Sequence, residues 1–259
     1  MKKELILFGI IIIILSSCNS GSKLKEGTDY RINAAGDTVM MERNQDGVLV
    51  EEYTIVNGKK DGKAWVYYPD GSVKVEYNFK NGKQHGVSRW FYKNGNVYET
   101  ARYKEGKKHG IMRRLDEDGN LEAEVPYKNG ELVPGTREYT KSGEIVQDYP
   151  SVRFFLDTTR QHEGVFILKM LRTDKEKDIA FHYYKVENGD SLRIGIPVRR
   201  HNGIGYMIYN TYSKDNIPEE VSVVGTFTSE RGNPVAITGT WRKSDPVEVD
   251  PNPFGKNLI

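Results

Sequence analysis

The chain has one cysteine, five histidines, almost no net charge and no apolar run long enough to cross a bilayer. Each shortage excludes something. A lone cysteine cannot form an internal disulfide, a thiolate-rich zinc site or an iron–sulfur site. Lysine and arginine number 38 against 36 aspartates and glutamates, a balance that gives no bulk drive toward nucleic acid. There is no G-x-S-x-G elbow, and no glycine-rich loop opens a helix that could hold phosphate. Asp116-Glu117-Asp118 is a carboxylate cluster with no flanking motif, and reads as a solvated turn. We therefore expect no catalytic residues, no metal, no cofactor and no nucleic-acid partner.

What is present begins at the N-terminus. Lys2 and Lys3 precede an apolar stretch from Leu5 to Leu15, and Ser16-Ser17-Cys18 follows. The stretch is well short of the about 20 residues a spanning helix needs, and its layout is that of a secretory signal peptide. Leu15-Ser16-Ser17-Cys18 resembles a bacterial lipobox. That resemblance implies cleavage before Cys18 and acylation of Cys18 by palmitate-like chains, which would make it the lipid attachment point. Residues 1–17 would be the signal peptide and 18–36, rich in small and polar residues, a flexible tether. The expected location is the cell envelope, anchored in the outer membrane and facing the periplasm.

Glycines then recur at a fixed period. Gly47, Gly71, Gly95, Gly119 and Gly143 are 24 residues apart, as are Gly58, Gly82, Gly106 and Gly130. A third series runs Gly62, Gly86, Gly110. Asn-Gly and Asp-Gly dipeptides in these series supply the positive φ of tight hairpin turns. Between the turns lie strand-length segments of alternating polarity, such as Val73, Val75, Tyr77 and Phe79 against Lys74, Glu76, Asn78 and Lys80. Tyr67, Phe91, Leu115 and Tyr139 form a matching apolar column on the shorter strand. The expectation for residues 37–150 is a meander of hairpins with one consistently apolar face. The pattern N-G-x-x-x-G, an aromatic strand, a D/N-G turn and a closing Tyr-Lys-Asn-Gly resembles the MORN repeat variants of the YwqK antitoxin-like family. The resemblance implies an elongated single-layer β-sheet used for protein or lipid contacts, with no shared chemistry.

His85 and His109 occupy the same repeat slot, filled by Asp61 one copy earlier. Equivalent slots lie two strands apart, about 9.5 Å, too far for one metal ion. We assign the imidazoles to turn stabilisation. From Asn57 to Lys108 twelve basic residues face five acidic ones, a balance of +7, and from His109 to Asp148 five face nine, giving −4. The basic half also carries Trp65, Arg89, Trp90, Tyr92 and Tyr98, which together form the candidate binding surface. Its expected partner is an envelope protein, a glycan or an anionic lipid headgroup.

Beyond Ser151 the period vanishes. Seven alternating segments separated by turn clusters suggest an antiparallel, immunoglobulin-like β-sandwich over 151–243, followed by a disordered tail, 244–259. The fold class is all-β. The function expected is a non-catalytic binding or scaffolding lipoprotein. Two rivals stand beside it: an antitoxin-like or immunity protein, and an envelope hydrolase or carbohydrate-active protein using the C-terminal domain.

Overall fold

A computed structural model describes residues 27–146, 149–174, 178–187 and 191–245. Cys18, the signal peptide and the tail from residue 246 lie outside the described residues.

The repeats form one fourteen-stranded antiparallel sheet whose main strands follow one another in chain order. Hairpin geometry dictates this. At the N-G turns, Asn57 and Gly58 take φ of 50° and 74° between the paired residues Val56 and Lys59. Two consecutive positive φ values define the two-residue turn whose twist matches that of strands. Asn81-Gly82, Glu105-Gly106 and Asn129-Gly130 repeat it.

The mid-repeat turns differ from expectation, because only the glycine takes positive φ there. In Tyr68-Pro69-Asp70-Gly71-Ser72 the Gly71 N–H donates to the Tyr68 carbonyl at 2.9 Å, and the Tyr68 N–H to that of Ser72 at 2.8 Å. The Asp70 carboxylate instead accepts from the Ser72 N–H at 3.0 Å. This is the three-residue loop with a left-handed glycine, and the acid serves as a side-chain acceptor within it.

Each long hairpin also contains a bulge, with register shifts at Glu42/Arg43, Val66/Tyr67, Trp90/Phe91 and Arg114/Leu115. The bulge corrects the expectation of one apolar face. Val75 pairs with Val66, but Val73 pairs with Tyr67. An extra residue in one strand re-aims everything beyond it, so Val73 shares a face with Tyr67, away from Val75, Tyr77 and Phe79. The column Tyr67, Phe91, Leu115, Tyr139 thus lies behind the main apolar face.

The sheet begins earlier than composition suggests. Strand Thr28–Ile32 falls inside the stretch read as tether and pairs with Thr38–Arg43 across a turn held by the Asn33 side chain, which accepts from the N–H groups of Ala35 and Asp37.

The C-terminal part is a sandwich of two four-stranded sheets. All seven expected segments are strands, and Arg199–His201 adds an eighth. In order of appearance the strands are Val152–Asp157, Val165–Arg172, Ala180–Glu187, Ser191–Pro197, Arg199–His201, Ile204–Asn210, Glu220–Thr228 and Pro234–Arg242. One sheet runs first-second-sixth-fifth and the other fourth-third-seventh-eighth. This is the A-B-E-D and C′-C-F-G order of immunoglobulin sandwiches. Leu168, Met170, Ile179, Phe181, Val221, Val223 and Trp241 fill the core, each large apolar side chain contributing roughly 1.5–3 kcal/mol by burial. The sheets approach closely at Gly239, where a Cβ would lie 2.6 Å from Val152 Cβ, and at Gly205, where one would lie 2.7 Å from the Phe181 ring.

A polar joint fixes the sandwich to the end of the repeat sheet. Buried Glu138 accepts from Ser229 Oγ at 2.6 Å and from the buried Asn233 Nδ2. Arg114 Nη1 donates to Asn233 Oδ1 at 3.1 Å, and Thr136 Oγ1 donates to the Pro234 carbonyl at 3.1 Å.

Candidate functional site

Successive copies repeat the same hairpin and bulge, so equivalent positions keep the same face of the sheet, whereas adjacent residues within one strand point to opposite faces. Trp65 and Trp90 are 25 residues apart, and the register puts them on opposite sides. Trp65 pairs with Glu76, which pairs with Arg89. Trp90 pairs with Val75. The five candidate residues therefore do not form one surface: Trp65 and Arg89 share one face, and Trp90, Tyr92 and Tyr98 belong to the other.

The face carrying Trp90 is packed on itself. Trp90 meets Tyr77 edge-on at 5.9 Å between centroids, and Tyr77 meets Phe79 at 6.1 Å. Ala64, Ala123 and Val125 beneath such rings have no exposure at all. Lysines lie over the rings: Lys60 Nζ is 3.7 Å from the Tyr53 centroid and Lys108 Nζ 5.0 Å from that of Tyr127, each a cation–π contact. Burial, then the nearby Glu42 carboxylate, pushes the Tyr53 phenol up to about 12. Burial, then Glu99, does the same to Tyr103, also to about 12.

Tyr92 is a stitch between copies. Its hydroxyl donates to the Leu115 carbonyl at 2.8 Å, as Tyr68 does to Phe91 at 2.8 Å. In the next copy Asp116 fills the slot and accepts from the Asp118 and Asn120 N–H groups instead. Tyr98 packs edge-on to Tyr92 at 5.2 Å and lies under the Arg114 guanidinium.

The face carrying Trp65 and Arg89 is charged and more open. Equivalent positions read Trp65, Arg89, Arg113 and Arg137. Sequence reasoning missed Arg113 and Arg137, although the period that found the glycines also marks them. Between the basic strands stand Glu52, Glu76 and Glu124. Arg31 contacts Glu52 at 2.7 Å, Lys63 and Arg89 contact Glu76 at 3.4 and 3.1 Å, and Arg113 and Arg137 contact Glu124 at 3.0 and 3.8 Å. The carboxylates are 12–14% exposed and the cations 43–61%. Such half-exposed pairs contribute little to stability, about 0–1 kcal/mol each. Their geometry does more: short acids sit low and hold long cations above them. Lys63 Nζ also lies 5.9 Å from the Trp65 centroid. A groove of about 510 Å³ opens beside these residues, lined by Asp61, Lys63, Glu76, Asn78, His85 and Arg89.

The shared turn slot behaves unequally. Asp61 accepts from the Asn81 N–H at 2.9 Å, and His85 Nδ1 stands 3.7 Å from Glu105 Oε1. Among the described residues no group of three or more His, Cys, Asp or Glu side chains converges as metal ligands. The nine expected turn glycines, Gly58, Gly62, Gly71, Gly82, Gly86, Gly95, Gly106, Gly110 and Gly119, all take φ between 74° and 89°.

The chain carries three copies of the MORN repeat variant, at residues 60–81, 84–105 and 108–129. No curated protein sequence matches this chain. Solved structures similar to part of it include S. aureus TarM, a mutant in complex with fondaparinux, alpha-GlcNAc-glycerol and UDP, at 14% identity and TM-score 0.31 over 41% of this chain and 21% of that one. Accessory secretory proteins 1, 2 and 3 of Streptococcus pneumoniae match at 12% identity and TM-score 0.26, over 47% and 20%. This chain spans about a fifth of the length of each. Overlaps this loose carry no argument about function.

Proposed function

We propose that this chain is a lipid-anchored protein of the cell envelope whose repeat sheet is a non-catalytic binding or scaffolding surface. Cys18 carries the lipid, and the outer membrane facing the periplasm is its place. One observation supports the binding role above the others. The sheet has one face consumed by its own aromatic packing, while the other holds half-exposed cations and Trp65 with no second layer over them among the described residues. A long sheet that spends one face on its own stability leaves the other for a partner.

Anchoring and binding are tested together in cells. Cys18→Ala moves the protein from the membrane pellet to the soluble fraction; retention in the pellet refutes the anchor. A photocrosslinking amino acid at position 65 captures an envelope component, whereas one at position 90, inside the packed face, does not. Equal capture from both positions, or none from 65, refutes the assignment of the charged face.

A further inference from the structure

We infer that the charged face binds an anionic polysaccharide laid along the long axis of the sheet. The inference rests on the binding role proposed above and names the partner's chemistry.

Three properties of the face select such a ligand. The first is spacing. Trp65, Arg89, Arg113 and Arg137 stand on alternate strands at the same register position. Strands are about 4.8 Å apart, so the rungs recur every 9.5 Å or so and the row spans about 29 Å. A small acid meets one rung, whereas a polymer with regularly placed charges meets all of them. Each contact after the first is then intramolecular, and avidity accumulates.

The second property is charge. Five cations, Arg31, Lys63, Arg89, Arg113 and Arg137, stand over three carboxylates, Glu52, Glu76 and Glu124, leaving two positive charges. Because the acids are nearly covered, what an approaching molecule meets is guanidinium. Planar guanidinium grips carboxylate or sulfate through paired N–H donors, and it is less strongly hydrated than lysine ammonium. The nearly covered acids hold Arg31, Arg89 and Arg113 by hydrogen bonds at 2.7, 3.1 and 3.0 Å, which lowers the entropy lost on binding.

The third property is the aromatic rung. Trp65 stands where the other copies have arginine, so one end of the row offers a flat apolar ring with a polar edge. A sugar ring has an apolar face and a polar rim that fit it. The guanidinium groups stand in a line, bordered on one side by the column Tyr67, Phe91 and Leu115. A linear chain fits that shape better than the broad plane of lipid headgroups.

The test uses the full chain and polygalacturonate as the probe, with neutral dextran, phosphatidylglycerol vesicles and polyglutamate in parallel at the same ionic strength. Long polygalacturonate binds, added salt weakens it, digalacturonate binds far more weakly, and dextran does not bind. Combining Arg89→Gln with Arg113→Gln leaves Glu76 its Lys63 and Glu124 its Arg137, so the fold is kept, and an unchanged melting curve checks it. That variant binds polygalacturonate about 25-fold more weakly, roughly fivefold per guanidinium. Trp65→Ala weakens polygalacturonate without altering the salt dependence. Failure to bind polygalacturonate overturns the inference, as does an unchanged affinity in the double variant. So does tighter binding of vesicles or polyglutamate through the same arginines. If polygalacturonate fails while the crosslinker at position 65 still captures an envelope component, the polysaccharide falls and the binding face stands.

Discussion

Replacing Glu138 with alanine should uncouple the sandwich from the repeat sheet. The carboxylate is 2% exposed, and the groups it holds belong to the turn between the last two sandwich strands. That turn is closed by its own bonds, Ser229 N–H to the Asn233 carbonyl at 2.8 Å and Gly232 N–H to the Ser229 carbonyl at 2.9 Å. It therefore survives the substitution as a unit, with two donors left facing a void. Each buried donor stripped of its acceptor costs about 1–3 kcal/mol, and the desolvation of a carboxylate is recovered in part. The net loss is about 2–4 kcal/mol, confined to the joint. Glu138→Gln keeps an oxygen where both donors point and should lose only about 1 kcal/mol. Urea unfolding followed by tryptophan fluorescence reads the outcome, because Trp241 reports on the sandwich while Trp65 and Trp90 report on the repeats. The alanine variant should show the two regions unfolding at separate midpoints. A single transition within 0.5 kcal/mol of the parent, on the order of ordinary surface substitutions, would show that the joint couples nothing.

Two other outcomes follow from single positions. Glu105 holds φ of 51° in a turn slot where the other copies have asparagine, and a left-handed conformation is costly for most residues but mild for asparagine. Glu105→Asn should raise stability by about 0.5–1 kcal/mol, outweighing its exposed pairs with Lys83 and His85, and a urea midpoint that fails to rise refutes this. Tyr53 and Tyr103 are held near 12 by burial first, then by Glu42 and Glu99 respectively, whereas unfolded phenols titrate near 10. Between those values the native state keeps protons that the unfolded chain releases, so stability is intact below pH 10 and falls as pH rises toward 12. Urea midpoints that rise through that window would contradict the assignment.

How much of this was legible in sequence depends on which periodicity carried the information. The 24-residue recurrence located every repeat turn, and the strands of the sandwich followed from alternation and turn clusters. Alternation failed where Val73 and Val75 lie in one apolar run. A bulge between them leaves no mark when the residues on both sides are apolar, so the reading gave one face where the sheet has two. The N-terminal strand was missed for a different reason: its turn is held by the Asn33 side chain, and Gly36 is out of phase with the later glycines. The candidate surface suffered from matching by residue type instead of repeat position. Trp65 is equivalent to Arg89, and Trp90, the next residue in that strand, points to the opposite face, whereas Arg89, Arg113 and Arg137 share one repeat position and align. Substituting one tryptophan for the other as a binding probe would therefore mislead. Only position 65 belongs to the cationic row, and truncating Trp90 would instead unpack Tyr77 and be read as weakened binding through lost stability.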